Sequence, residues 1–154
     1  MAVQIVEVES KKQKIDFINF EWKINKNLPN WISPLRLSRK DILNTKKNPF
    51  YQHAEIALFL AYQNGKIAGR IAAITNQNFN DFHEDNSGFW GFFECTDDQE
   101  VADALFQTAA DWLKVRNKDV MLGPMNPSTN DEACLLIDGF NTPPYMLMIH
   151  NHAY

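Results

Sequence analysis

Hydrophobic and polar residues alternate at the start of the chain. Val3 and Ile5 flank Gln4, and Val6 and Val8 alternate with Glu7 and Glu9; this is the period of a half-buried strand. The phase slips by one between Ile5 and Val6, which leaves room for a bulge. The period then turns helical. Ile15, Ile18 and Trp22 predict a helix over 15–26, and Pro29 and Pro34 mark a loop after it. Ser38 and Asp41 have capping-box spacing and predict a short helix over 39–46, stopped by Pro49. Residues 55–62 are apolar on both faces after the first, as in a central strand. Asn64-Gly65 is a hairpin signal, because both residues tolerate positive φ. A returning strand over 66–75, a polar loop over 76–87 and a third strand over 88–95 complete a meander. Asp97 and Glu100 then repeat the capping spacing ahead of Val101, Leu105, Ala109 and Trp112, which define an amphipathic helix. A strand over 119–123 follows, parallel to the strand before that helix by right-handed crossover. Thr129 and Glu132 suggest a capped helix through 137, with Gly139 at its C′ position. Pro143-Pro144 blocks continuation, and 145–149 reads as a last strand. The fold class is therefore α+β (α/β-like): a mixed, mainly antiparallel central sheet flanked by helices.

Composition adds limits. A chain of 154 residues is about one domain long. Its 45% hydrophobic and 22% charged residues argue against a disordered or collagen-like chain. A net charge of −4 disfavours nucleic acid as a partner, although a local basic patch can hide in the average. Cys95 and Cys134 form no Cys-x-x-Cys pair, and Asn126 is followed by Pro127, which spoils the glycosylation sequon. Both features suit a reducing cytoplasm. Residues 1–10 lack the basic start and apolar run of a signal peptide. The longest apolar run, 56–62, is too short to cross a bilayer, so no membrane partner is expected.

Familiar catalytic signatures fail. The P-loop, the Gly-x-Gly-x-x-Gly turn and the Gly-x-Ser-x-Gly elbow are all missing. His83-Glu84 lacks the second His of a zincin, because Ser87 stands at that spacing, and His150 and His152 flank Asn151 as an isolated pair. No metal is expected.

Longer phrases carry a resemblance. They are Asn48-Pro49-Phe50-Tyr51 with His53-Ala54-Glu55, Gly69-Arg70-Ile71-Ala72-Ala73-Ile74, and Gly88-Phe89-Trp90-Gly91-Phe92-Phe93-Glu94-Cys95. Gly123-Pro124-Met125-Asn126-Pro127-Ser128-Thr129-Asn130 and Asp138-Gly139-Phe140 follow. In this order they resemble the N-terminal half of longer bacterial two-domain proteins similar to the GCN5-related N-acetyltransferases (GNAT). The resemblance implies that residues 1–154 are a single GNAT-like domain, incomplete or excised, lacking the last helix and strand of the full fold. It also implies acetyl-CoA as cofactor, an amine as acceptor, and a downstream GNAT-like domain as partner. A second copy covering an exposed sheet edge is the other partner expected.

The same resemblance assigns roles. Backbone groups of Phe93, Glu94 and Cys95 would align the pantetheine arm. A Gly-rich turn would hold the pyrophosphate at a helix start, yet this chain has Cys95-Thr96-Asp97-Asp98-Gln99-Glu100 there. Three carboxylates at a helix N-terminus disfavour a second anion. The domain is thus expected to be weakly active or inactive in acyl transfer; the alternative is a non-catalytic ligand-binding or domain-docking module. Glu94 is the candidate general base, desolvated by Trp90, Phe92 and Phe93; its other reading is a strand-end carboxylate paired with Arg70. Tyr145 is the candidate general acid, or an aromatic packed after Pro144. Cys95 reads as a small buried residue in preference to a nucleophile. Trp90, Asn126, Ser128 and Asn130 are candidate ligand contacts, the last three equally readable as turn and cap residues. Lys11, Lys12 and Lys14 read as a solvated helix start.

Overall fold

The computed structural model describes residues 2–144 and 151–152. One five-stranded sheet runs β1-β2-β3-β4-β5 in sequence order. Its strands are β1 (Gln4–Glu7), β2 (Ala54–Gln63), β3 (Lys66–Asn76), β4 (Ser87–Cys95) and β5 (Val120–Leu122). The helices are α1 (Lys11–Asn25), α2 (Arg36–Ile42), α3 (Gln77–His83) and α4 (Gln99–Lys114), with a 3-10 turn at Pro49–Gln52. The first four strands are antiparallel, and β5 lies parallel to β4. The expected α+β architecture, a mixed, mainly antiparallel sheet flanked by helices, is present.

The apolar run of β2 is explained by its two covered faces. Ala57, Phe59 and Ala61 pack with Val101, Leu105, Ala109 and Leu113 of α4. Leu58 and Leu60 point the other way, onto Phe17, Ile18 and Leu43 of the α1–α2 layer. Helix α4 sits so close that a Cβ on Gly69 would stand 2.7 Å from Leu105 Cδ1, and one on Gly88 would stand 2.4 Å from Leu113 Cδ2. Asn64 and Gly65 adopt φ of 54° and 72° at the β2–β3 turn, as the hairpin signal requires.

Several expectations are corrected. Helix α1 starts before residue 15, because Ser10 and Gln13 form a reciprocal capping box. Helix α2 starts at Arg36 with Leu35 as an N-cap that makes no side-chain bond, so Ser38 and Asp41 form no box. The polar loop over 76–87 contains α3, capped by Asn76 accepting from the Phe79 N–H. The bulge in β1 is absent, since Gln4 to Glu7 pair without a break against Tyr62 to Phe59. No helix forms over 129–137. Ser128 Oγ accepts from the Asn130 N–H and donates to Asp131, Cys134 takes φ 79°, and Met125 bridges Ala133. The expected strand over 145–149, with Tyr145, lies outside the described residues, as does His150.

Candidate functional site

The middle of β4 departs from regular pairing. Arg70 pairs with Glu94, and Ala72 pairs with Gly91. Ile71 alone therefore faces both Phe92 and Phe93, which defines a bulge. Phe92 holds φ 50° there, and its ring packs edge-on to Phe17 of α1 with centroids 6.3 Å apart.

Beyond Phe89 the outer edge of β4 loses β5 and gains the segment 123–126. Met125 N–H donates to Trp90 O at 2.8 Å. The Phe92 N–H, released by the bulge, donates to Asn126 Oδ1. The approach is backbone to backbone: a Cβ on Gly91 would stand 1.7 Å from Met125 O, and one on Gly123 would stand 2.5 Å from Trp90 O. Asn126 is in turn fixed by Glu132, whose backbone O accepts from Asn126 N–H at 2.8 Å and whose carboxylate accepts from Asn126 Nδ2 at 3.3 Å.

A buried polar network begins at that carboxylate. Arg39 Nη1 meets Glu132 at 2.9 Å, and its Nε and Nη2 clasp both oxygens of Glu21 at 3.1 and 3.0 Å. Arg70 Nη2 meets Glu21 at 3.1 Å, and its Nη1 donates to Phe17 O at 2.9 Å. Burial alone would raise the Glu21 carboxyl, but the Arg70 and Arg39 guanidiniums overcome it and hold the group below the usual carboxylate range. Burial likewise opposes the charge on Arg39, and Glu21 and Glu132 more than restore it.

Glu94 sits at the end of this network, half-buried. Asn25 Nδ2 donates to its Oε1 at 2.9 Å and to Glu21 O at 3.0 Å. Desolvation pushes the Glu94 carboxyl up to about 7, against the opposing pull of Arg70 and Asn25. The reading that pairs Glu94 with Arg70 is corrected: the two residues oppose each other across the strands, but the Arg70 guanidinium is committed to Glu21 and Phe17. Two fully buried atoms beside Glu94, Asn25 Oδ1 and Arg70 Nε, have no hydrogen-bond partner among the described residues.

The start of α4 is capped by a carboxylate. Asp98, one residue later than expected, is its N-cap, and it accepts from Glu100 N–H at 2.9 Å and Val101 N–H at 3.4 Å. Its other oxygen accepts from Gln63 Nε2 at 2.8 Å. The Gln63 amide and these backbone donors hold the carboxyl below its ordinary value, so it stays charged.

The structure disperses the remaining candidates. Trp90 and Phe93 pack against Phe106 of α4, centroids 4.9 and 4.8 Å away, so of the three aromatics only Phe92 shares the face of α1 with Glu94. Cys95 is buried in the α4-side core. Ser128 and Asn130 line a separate cleft of about 690 Å³ with Phe50, His53, Phe79 and Asp131. His53 Nδ1 lies 3.2 Å from Asn76 Oδ1, which already accepts from the Phe79 N–H. Lys11 and Lys12 are solvated, but Lys14 reaches Leu43 O at 2.7 Å. Sequence reasoning missed Asn25, Glu21 and Arg39. The available signal was Glu21 and Asn25 themselves, polar residues set at helical spacing behind Phe17 on a face that is otherwise apolar. Among the described residues no three His, Cys, Asp or Glu side chains group as a metal site, and no helix is long and apolar enough to cross a membrane.

No family model matches the chain. It is 39% identical over 153 residues to the bacterial ceramide synthase of Caulobacter vibrioides, an alignment taking in 99% of this chain and 40% of that protein. It is 36% identical over 134 residues to protein YghO of Escherichia coli K12, covering 87% of this chain and 34% of that one. The chain thus spans well under half the length of these curated relatives. Among solved structures it is similar to the aminoglycoside acetyltransferase meta-AAC0020 from an uncultured soil metagenomic sample (TM-score 0.54, 11% identity, 78% of this chain and 75% of that one). It is also similar to a tandem GNAT protein from the clavulanic acid biosynthesis pathway (TM-score 0.56, 8% identity, 75% and 34%). The chain has a GNAT-like fold, and these structural neighbours are acetyltransferases.

Proposed function

We propose that the chain is a GNAT-like domain of an N-acyltransferase and that this domain does not itself turn over acetyl-CoA. The observation that carries the reading is the covered edge of β4. Trp90 O and the Phe92 N–H, at the bulge next to the Phe93–Cys95 backbone expected to align a cofactor arm, already pair with Met125 and Asn126. Asp98 likewise occupies the α4 N–H groups that a pyrophosphate would need. The residues present do not fit acetyl-CoA. The similarity to a ceramide synthase supports an amide-forming reaction for the longer protein; a cytoplasmic setting and docking of this domain on a second one are part of the same proposal. Calorimetric titration of acetyl-CoA into the folded chain, with CoA as control, tests the reading. Absence of heat up to high ligand concentration is expected; saturable micromolar binding with acetyl transfer would overturn it.

A second reading rests on Glu94. A half-buried carboxylate raised to about 7 and steadied by Asn25 has the proton affinity of a general base at neutral pH. It would take a proton from an acceptor ammonium while the acyl donor is held elsewhere in a longer protein. That reading predicts that Glu94→Gln abolishes amide formation by the full-length protein; unchanged turnover excludes it.

A further inference from the structure

Residues 22–40 contain Lys23, Lys26, Arg36, Arg39 and Lys40 and neither Asp nor Glu. Interleaved with them are Trp22, Leu28, Trp31, Ile32, Leu35 and Leu37. The stretch covers the end of α1, the connection and most of α2. Arg39 is taken inward by Glu21 and Glu132, whereas the other four cations are exposed. Ile32, Leu35 and Leu37 are also exposed, at 71%, 77% and 69%. Trp22 and Trp31 stand edge to face at 6.2 Å, and the Arg36 guanidinium lies 4.4 Å over the Trp22 ring.

A second segment comes alongside. Asn30 Nδ2 donates to Phe140 O at 3.0 Å. Asn151 bonds both backbone groups of Leu136, and His152 Nε2 lies 3.2 Å from Ile24 O. These contacts hold Leu135 and Ile137, both exposed, near the same end of α1. Single exposed aliphatics are ordinary, but a group of them is not. The chain is acidic as a whole, at −4, whereas this stretch is purely basic. Asp41 at the end of α2 and Asp138 are the carboxylates at the margin.

We propose that this patch docks on the surface of a bilayer containing anionic lipid, lying on it without spanning it. Exposed aliphatics enter the acyl boundary, a Trp pair sits at headgroup level, and surrounding cations meet lipid phosphates. A nucleic-acid site would use the cations and leave the aliphatics in water. The expectation of no membrane partner rested on the lack of a spanning run, which says nothing about surface docking. The inference does not depend on the proposed function.

The test is sedimentation of the 154-residue protein with vesicles of phosphatidylcholine alone and of phosphatidylcholine mixed with phosphatidylglycerol. Binding to the mixed vesicles, weakened by salt, is expected. The pairs Leu35→Ser with Leu37→Ser, and Lys26→Gln with Lys40→Gln, should each weaken it on the order of tenfold. Ser is a preferred N-cap at position 35, so the first pair should melt as the parent does. Three outcomes overturn the proposal: a folded chain that ignores anionic vesicles, binding that survives both pairs, and tighter binding to duplex DNA than to vesicles. Self-association that Leu35→Ser with Leu37→Ser abolishes would also overturn it, by assigning the patch to a second copy.

Discussion

At the scale of single residues, Glu94 is a half-buried titrating group beside the β4 bulge, and Gly91 sets how closely the segment 123–126 approaches that strand. A carboxyl raised from 4.5 to about 7 by burial binds its proton more tightly in the folded state than in the unfolded one. The stability associated with that proton is fully present below pH 4.5, the unfolded value, and is lost as pH rises through about 7. Every tenfold gain in proton affinity on folding corresponds to about 1.4 kcal/mol. Glu94→Gln keeps an acceptor for Asn25 and removes the titration. The variant should therefore melt close to the parent at pH 5 and above it at pH 8. Parallel melting curves at the two pH values would contradict the burial of this carboxyl. Gly91 is a steric matter. Its Cβ would have to displace Met125 O, 1.7 Å away, so Gly91→Ala should cost about 1–3 kcal/mol, read as a lower Tm. An unchanged Tm would mean that the segment 123–126 leaves β4 easily.

At the scale of elements, α4 shows what local sequence can specify. Its apolar stripe was legible, as were the meander and the parallel β5, because period and hairpin chemistry act over neighbouring residues. The capping residue was one position off, since Asp97 and Asp98 are locally equivalent and the choice falls to Gln63, distant in sequence, which bonds Asp98. Asp98→Ala should destabilise the chain by about 1 kcal/mol, whereas Asp97→Ala should change little; chemical denaturation of both variants separates them. Asn126, Ser128 and Asn130 read equally as turn residues or ligand contacts, and the partners that Asn126 and Glu132 take were not legible. Glu132 has capping-box spacing from Thr129, yet its carboxylate goes to Arg39. Asn126 resembles a turn residue, yet it supplies the acceptor for a bulge in another strand. The bulge itself arises from register between β3 and β4, which no local pattern encodes.

At the scale of the whole molecule, Arg39 ties together parts that share no backbone pairing. Through Glu21 it holds α1, through Glu132 it holds the loop over β4, and it stands on α2 itself. Arg70 anchors the same Glu21 to the sheet. The opposite layer, where α4 packs on β2 and β3, has an apolar core, tied at its ends by Gln63 to Asp98 and by Arg116 to Glu55. Removing one partner of a buried ion pair leaves the other charge uncompensated, at a cost of about 3–5 kcal/mol. Arg39→Met keeps much of the side-chain volume and removes the charge. Its effect should be uneven across the molecule: Glu21 retains Arg70, but Glu132, which orients Asn126, loses its cation. Hydrogen exchange should therefore speed up first in residues 123–132 and at the Phe92 amide, then in α1, while the amides of α4 and β3 keep their protection. In the same variant the uncovered edge of β4 becomes available to added acetyl-CoA, and Asp98 still blocks the helix start, so no cofactor binding should appear. Uniform acceleration across both layers would show that Arg39 merely contributes to global stability. Acetyl-CoA binding gained by Arg39→Met would show that the covered edge, and not the acidic helix start, is what excludes the cofactor.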